Sequence, residues 1–268
     1  VIMGVLTGCA NREQRADALA KSGQFQKFEL QTNPFRLVSY GYNLDRRGAD
    51  VTIYLAEDGA AWVNGRPPLN PTPTKATGLR LASTHRKMAR PDETILYIAR
   101  PCHFVRFRDP ANCTDTSPWW SSHRFAPEVI RSTSEAIDHF IKNTAPRRLT
   151  LVGYSGGGTL ATLLAAHRSD VSQVITMAGT IDLQAWVVHH NFAPLYGSLN
   201  PPDFAAQLRK IKQYHYVGGD DDLVPPLVAQ SYRNKVNPSQ TQIIILPGHS
   251  HNCCWTDVLP QILGATKG

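Results

Sequence analysis

The sequence predicts an α/β domain on a mainly parallel sheet, and three observations predict it. Short apolar runs rich in β-branched residues alternate with longer segments of helical period, the pattern of strands joined by helical crossovers and buried on both faces. In mid-chain an apolar run enters Gly153-Tyr154-Ser155-Gly156-Gly157 and leaves as a small-residue helix, Thr159-Leu160-Ala161-Thr162-Leu163-Leu164-Ala165-Ala166. No linker, repeat or low-complexity block divides the chain, and 268 residues can bury a sizeable core.

Taken in order, residues 25–30 and 35–40 are β-rich runs separated by Gln31-Thr32-Asn33-Pro34, and read as an antiparallel hairpin at the sheet edge. Residues 51–56 form a strand that breaks into Glu57-Asp58-Gly59-Ala60-Ala61-Trp62 and a proline-rich loop through 74. A helix over 76–89 and a buried strand over 94–99 follow, the latter stopped by Arg100-Pro101. A loop with Cys102, Cys113, Trp119 and Trp120 leads to a helix that Pro127 opens and that runs through 143. Beyond the mid-chain turn come a strand over 171–177, an irregular segment over 180–202, a short helix over 204–210 and a strand over 211–217. A helix over 226–236, a strand over 242–246 and a helix over 254–263, weakened by Pro260, complete the order.

The mid-chain turn carries the chemistry. A G-x-S-x-G sequence between strand and helix forces its serine into a strained conformation with the hydroxyl exposed. Glycines two residues to either side let strand and helix pack closely. The helix N-terminus aims unpaired N–H groups and a positive dipole end at nearby oxygen chemistry. Ser155 is therefore the candidate nucleophile. A serine hydroxyl attacks poorly at neutral pH unless a base takes its proton. Histidine, with an unperturbed pKa of ~6.5, suits that task, and a carboxylate fixes its tautomer and stabilises the imidazolium. Acids follow the strand over 211–217 at Asp220, Asp221 and Asp222, and Asp182 follows the strand before it. Histidines follow the strand over 242–246, at His249 and His251.

This order of motifs resembles the α/β-hydrolase family, whose triad runs Ser…Asp/Glu…His along the chain, and the resemblance extends from about Phe25 to the C-terminus. It implies an α/β-hydrolase fold and an esterase- or lipase-like serine hydrolase that needs no metal or cofactor. Relatives often carry D-x-x-V-P, which in Asp221-Asp222-Leu223-Val224-Pro225 selects Asp221; Asp182 is the alternative that some relatives use. The family's spacing of glycine to histidine favours His251 over His249 in Gly248-His249-Ser250-His251. The oxyanion donors are then the N–H of Gly156 and one from the loop after the third strand, with Ala60 the first candidate and Gly59 the second. Many relatives have His-Gly where this chain has Asp58-Gly59. Trp62, Tyr154, Trp119 and Trp186 are expected to wall the substrate pocket, although each tryptophan equally suits loop packing. The segment over 180–202 stands where relatives insert a lid.

The first nine residues are apolar and end in Leu6-Thr7-Gly8-Cys9, which resembles a bacterial lipobox with Cys9 as the lipidated residue. Residues 1–24 are expected to be a lipoprotein signal remnant and polar tether, and 25–268 the single hydrolase domain. The bland alternative for the first residues is a buried strand. A periplasm-facing envelope protein anchored to the membrane follows, and Asn11, in place of an inner-membrane retention aspartate, points to the outer membrane. In that oxidising compartment Cys102 and Cys113 are the expected disulfide, while the neighbours Cys253 and Cys254 are not expected to pair with each other. No His/Cys spacing suggests a zinc site.

The formal charge of +7 is spread along the chain with no nucleic-acid motif, so the basic residues read as a solvated surface rather than a polyanion site. Residues 153–158 match neither G-x-x-x-x-G-K-[ST] nor G-x-G-x-x-G, which excludes a nucleotide loop. The substrate class is a small-molecule or lipid ester. The competing function is a non-catalytic, membrane-tethered binding protein that retains the scaffold; the complete set of nucleophile, base and acid argues against it.

Overall fold

Eight strands form one sheet: β1 (Gln26–Gln31), β2 (Arg36–Tyr42), β3 (Asp50–Leu55), β4 (Glu93–Ile98), β5 (Arg148–Tyr154), β6 (Gln173–Met177), β7 (Lys212–Gly218) and β8 (Thr241–Leu246). Their spatial order in this computed structural model is β1-β2-β4-β3-β5-β6-β7-β8. The structure describes residues 11–105, 113, 118–236 and 238–266. The β1–β2 and β2–β4 pairs are antiparallel and every other pair is parallel.

The central strands read as unbroken apolar runs because alternate residues enter two different cores. On β3, β4 and β5, Val51, Ile53, Leu55, Leu96, Ile98, Leu149 and Leu151 join one core. Their neighbours Tyr54, Ile95, Tyr97, Val152 and Tyr154 join the other. The first core is closed by α3 (Pro127–Ile141), α4 (Gly156–His167), α6 (Ala205–Leu208) and α7 (Pro226–Val236). The second is closed by α2 (Thr77–Lys87) and α8 (Trp255–Ala265). Side chains such as Leu151 and Ile53, with no exposed surface, each contribute about 1.5–3 kcal/mol by burial. Truncating one to alanine costs about 2–5 kcal/mol.

Three expectations are corrected. The polar stretch read as a tether is a helix, α1 (Arg12–Ser22), docked on the second core through Ala16 and Ala20. Asn11 and Gln14 form a capping box at its start, and Lys27 Nζ reaches Glu13 and Asp17 across to β1. Its buried face is made of alanines, so no apolar period marks it in the sequence. Within the segment read as irregular, α5 (Leu183–His190) is capped by the Asp182 side chain at its start and by Asn191 in the left-handed region at its end. Disulfides join Cys102 to Cys113, as expected, and Cys253 to Cys254, which was not expected. The second pair occupies the turn that carries the chain from the His251 loop into α8, where Cys254 takes the left-handed conformation that starts the helix. Cys9 and the apolar run before it lie outside the described residues.

Candidate active site

The parallel strands deliver their loops to one edge of the sheet, where the site is assembled. Between β5 and α4, Ser155 has φ 53° and ψ −126°, a conformation that costs a non-glycine residue about 1–3 kcal/mol. The surroundings hold it there: its N–H donates to Met177 O at 3.0 Å, and its carbonyl accepts from Gly158 N at 2.8 Å. A Cβ at position 157 would stand 2.3 Å from Leu55 O. Only glycine therefore lets α4 pass this close to the end of β3.

The His251 ring joins the serine to an acid. Its Nε2 lies 3.1 Å from Ser155 Oγ and its Nδ1 lies 2.9 Å from Asp221 Oδ2. Asp221 is 2% exposed, while its neighbours Asp220 and Asp222 face solvent. The other Asp221 oxygen accepts the N–H groups of Leu223 at 3.0 Å and Val224 at 2.7 Å. Those two amides fix the orientation of the carboxylate, with Oδ2 aimed at the imidazole. The backbone of His251 is pinned as well, since its carbonyl accepts from Tyr154 Oη at 2.7 Å and Trp255 Nε1 at 2.9 Å. Burial raises the Tyr154 phenol above its ordinary range, so it remains a donor. The loops after β7 and β8 are tied together by Asp220 N–H on His249 O, at 3.0 Å.

The alternatives to these three residues have other duties. Asp182 caps α5 and binds Ser231 Oγ and Lys235 Nζ, each at 2.8 Å. Burial pushes its carboxyl up, but Lys235, Ser231 and the Ala185 N–H more than offset this and leave it below the usual range. His249 turns its Nδ1 to Pro247 O at 3.1 Å and packs its ring on Trp255.

A cleft of about 550 Å³ opens over Ser155 and His251. Trp62, Tyr154 and Trp186 line it, together with Phe192 and Leu223. Leu223 O accepts the Trp186 indole N–H at 2.8 Å and faces His190 Nε2 at 2.9 Å, which joins α5 to the acid loop. Trp119 is corrected: it stacks edge-on with Phe35 and His123, against the first core. A tryptophan beside a proline in a loop carries no mark of which side it faces.

The loop after β3 also departs from expectation. The Ala60 N–H donates to Pro71 O at 2.8 Å, so that amide is already occupied. Gly156 is the first residue of α4, where N–H groups have no intrahelical acceptor. Gly59 has φ +69° and a Cβ there would meet Pro71 O at 2.1 Å, so the proline-rich loop is clasped directly on this glycine. Glu57 is buried, and its two oxygens accept the N–H groups of Thr77 at 2.6 Å and Gly78 at 3.1 Å. It thereby caps α2 in place of Ala76, which makes no side-chain cap. Burial raises the Glu57 carboxyl against these bonds. Asp58 lies so near the nucleophile turn that a Cβ on Gly156 would stand 2.1 Å from its Oδ1. Arg100 Nη1 lies 3.0 Å from Oδ1 and Arg124 Nη1 3.1 Å from Oδ2. Burial lowers the Arg100 guanidinium to about 10, with Asp58 opposing. This cluster has no sequence signal beyond the single letters, because its members stand 42 and 66 positions along the chain from Asp58.

Among the described residues no group of three or more His, Cys, Asp or Glu side chains is arranged to hold a metal ion.

No family model matches the sequence, and no curated protein matches it. Solved structures do resemble it. A cold-adapted esterase from an Arctic intertidal metagenomic library shares 14% identity at a TM-score of 0.63, over 90% of this chain and 92% of that one. An esterase of Pyrococcus furiosus shares 12% identity at a TM-score of 0.62, over 99% and 97%. An acylaminoacyl peptidase of Pyrococcus horikoshii shares 12% at 0.59, over 85% of this chain and 37% of that longer one. With the strand order above, these likenesses give the chain the α/β-hydrolase fold.

Proposed function

We propose that the protein is a serine hydrolase that cleaves carboxylic esters through an acyl-Ser155 intermediate. The observation that carries this reading is the continuous hydrogen-bonded line from Asp221 through His251 to Ser155, ending on a serine held at positive φ. The two esterases of the same fold and comparable length support it.

With Nδ1–H donated to Asp221, Nε2 is the free lone pair that takes the Ser155 proton as Oγ attacks the ester carbonyl carbon. The negative charge on the tetrahedral oxygen meets the Gly156 N–H and the positive end of α4. Gly59, next in the same loop now that Ala60 is occupied, is the proposed second donor. His251 then passes its proton to the departing alkoxide, leaving acyl-Ser155 and an imidazole that activates water for the reverse sequence. These three side chains complete the chemistry without a cofactor.

The test is turnover of a chain-length series of p-nitrophenyl esters by wild type and by Ser155→Ala. Turnover that depends on Ser155 supports the proposal. Equal rates from a folded Ser155→Ala protein overturn it. No turnover of any ester by folded wild type transfers support to the binding-protein reading.

Lipidation of Cys9 and a place in the bacterial envelope, at the outer rather than the inner membrane, are proposed from the sequence alone. Since α1 begins at Arg12 and is docked on the domain, a lipid on Cys9 would hold the domain close against the bilayer surface. Mass spectrometry of the native N-terminus tests this. A diacylglyceryl-modified Cys9 is expected, and an unmodified Cys9 inside a longer chain overturns it.

A further inference from the structure

We propose that Arg124 makes the cleft selective for esters that carry a carboxylate, an inference that rests on the ester-hydrolase reading above and names its substrate class.

Arg124 lines the same cleft as Ser155, Tyr154 and His251, yet it is 5% exposed. A guanidinium withdrawn from solvent to this extent normally has its donors matched by acceptors. Here they are not. Among the described residues only Nη1 is hydrogen-bonded, to Asp58 Oδ2, and Nε is buried with no partner. The indole face of Trp186 lies under the cation, 5.5 Å from Cζ to the ring centroid, an arrangement that fixes the fork and keeps it desolvated.

The acidic groups around it do not use up the charge. Asp58 is shared, since Arg100 lies against its other oxygen. Glu57, which also lines the cleft, is turned away to the N–H groups of Thr77 and Gly78. Asp221 is committed to His251 and to the amides of Leu223 and Val224. What remains is a guanidinium lining the cleft whose only hydrogen bond among the described residues is the one from Nη1, so that Nη2 is unused, together with the exposed Lys75 of the same cleft. A carboxylate matches that fork by bidentate hydrogen bonding, whereas a neutral acyl chain leaves the donors stranded. The aromatic wall of Trp62, Trp186 and Phe192 suits the hydrocarbon between the carboxylate and the ester. The formal charge of +7 draws an anion towards the surface.

The experiment compares esters of matched size. p-Nitrophenyl hemiglutarate is set against p-nitrophenyl hexanoate, which places the charge on the acyl side. 4-Butyryloxybenzoate is set against its methyl ester, which places it on the leaving group. We expect kcat/KM for the anionic member of one pair to exceed its neutral counterpart by at least about tenfold, mainly through KM. The pair that shows this tells which side faces Arg124. The ratio should survive 0.5 M salt, because a buried cation is poorly screened. Arg124→Gln should bring the ratio to near one, and Arg124→Lys should restore part of it.

No preference in either pair overturns the inference. So does a parallel fall for both members in Arg124→Gln, since that would mean Arg124 acts on the fold or on the developing oxyanion. If the variants do not fold, wild type alone decides. Glutarate should slow fluorophosphonate labelling of Ser155 at concentrations where glutaramide does not, and equal behaviour of the two refutes the proposal. Hydrolysis of neutral esters without charge preference removes this inference and leaves the hydrolase reading intact; absence of turnover and of labelling removes the hydrolase reading itself.

Discussion

At the ends of β5, β7 and β8, three side chains close on one another within 3.1 Å, and each is placed by its own loop with short-range help. At the end of β3, a few ångströms away, the loop from Glu57 to Ala60 behaves differently. Its carboxylates reach α2, Arg100 and Arg124, and its Ala60 amide is held by Pro71. The first region depends on the identity of three residues. The second depends on which backbone and charged groups happen to be engaged by distant segments. Chemistry that lives in side-chain identity is thus tied to sequence far more tightly than chemistry that lives in unoccupied amides.

The comparison predicts a sharp energetic asymmetry. Ser155→Ala and His251→Ala should each lower kcat by about 10⁴-fold or more, and the double variant should be no slower than the worse single one, because the two act as a unit. Additive losses would mean that the 3.1 Å contact is not the working one. Initial rates of p-nitrophenyl ester hydrolysis on proteins with matched circular dichroism make the measurement.

Asp221→Asn should follow, with a fall in kcat of about 10⁴-fold and a small change in KM, since the amide can hold the wrong imidazole tautomer. Asp182→Asn is the control. It keeps the cap oxygen but replaces the oxygen that accepts from Ser231 and Lys235 with an NH2 donor, so it should cost about 1–3 kcal/mol in urea denaturation and leave kcat unchanged. Reversal of these two outcomes would move the acid to the end of β6.

These contrasts follow what was legible in the chain. Strands buried on both faces gave continuous apolar runs, and the sheet and the nucleophile turn could be read from local residues, whereas Asp221 and His251 were singled out among close neighbours only through the family resemblance. α1 was hidden because alanines form its buried face. α5 was hidden because two histidines and a tryptophan interrupt its short apolar pattern. Ala60 was a reasonable donor from its position, but a hydrogen bond to Pro71, 11 residues on, has no local signature. Trp119 and Trp186 look alike in the sequence, yet one packs on Phe35 and the other on Leu223 O and Phe192.

A third contrast concerns two buried histidines, His215 on β7 and His103 in the turn after β4. Burial lowers His103 and His215 to about 3, with Arg100 adding to the effect at His103. Both are neutral in the folded protein, while the unfolded chain takes up protons near pH 6.5. Their stabilising effect is therefore complete above about pH 6.5 and is lost as pH falls towards 3. At pH 5 each should cost about 2 kcal/mol. Urea midpoints between pH 8 and 5 should fall accordingly, and His215→Gln should flatten the slope by about half. An unchanged slope would mean that His215 is hydrated or charged when folded.

The smallest effect is expected at His249. With its Nδ1 on Pro247 O and no bond to Ser155 or Asp221, His249→Ala should change kcat by less than about threefold. A loss as large as that of His251→Ala would exchange the roles of the two histidines.

The central claim is that Ser155 alone is activated, and covalent labelling reads it most directly. Folded wild-type protein treated with a fluorophosphonate should gain one adduct per chain, mapped by peptide mass spectrometry to the peptide that contains Ser155. Ser155→Ala should gain none. Wild type that stays unmodified while folded, or an adduct that persists in Ser155→Ala, would contradict the account.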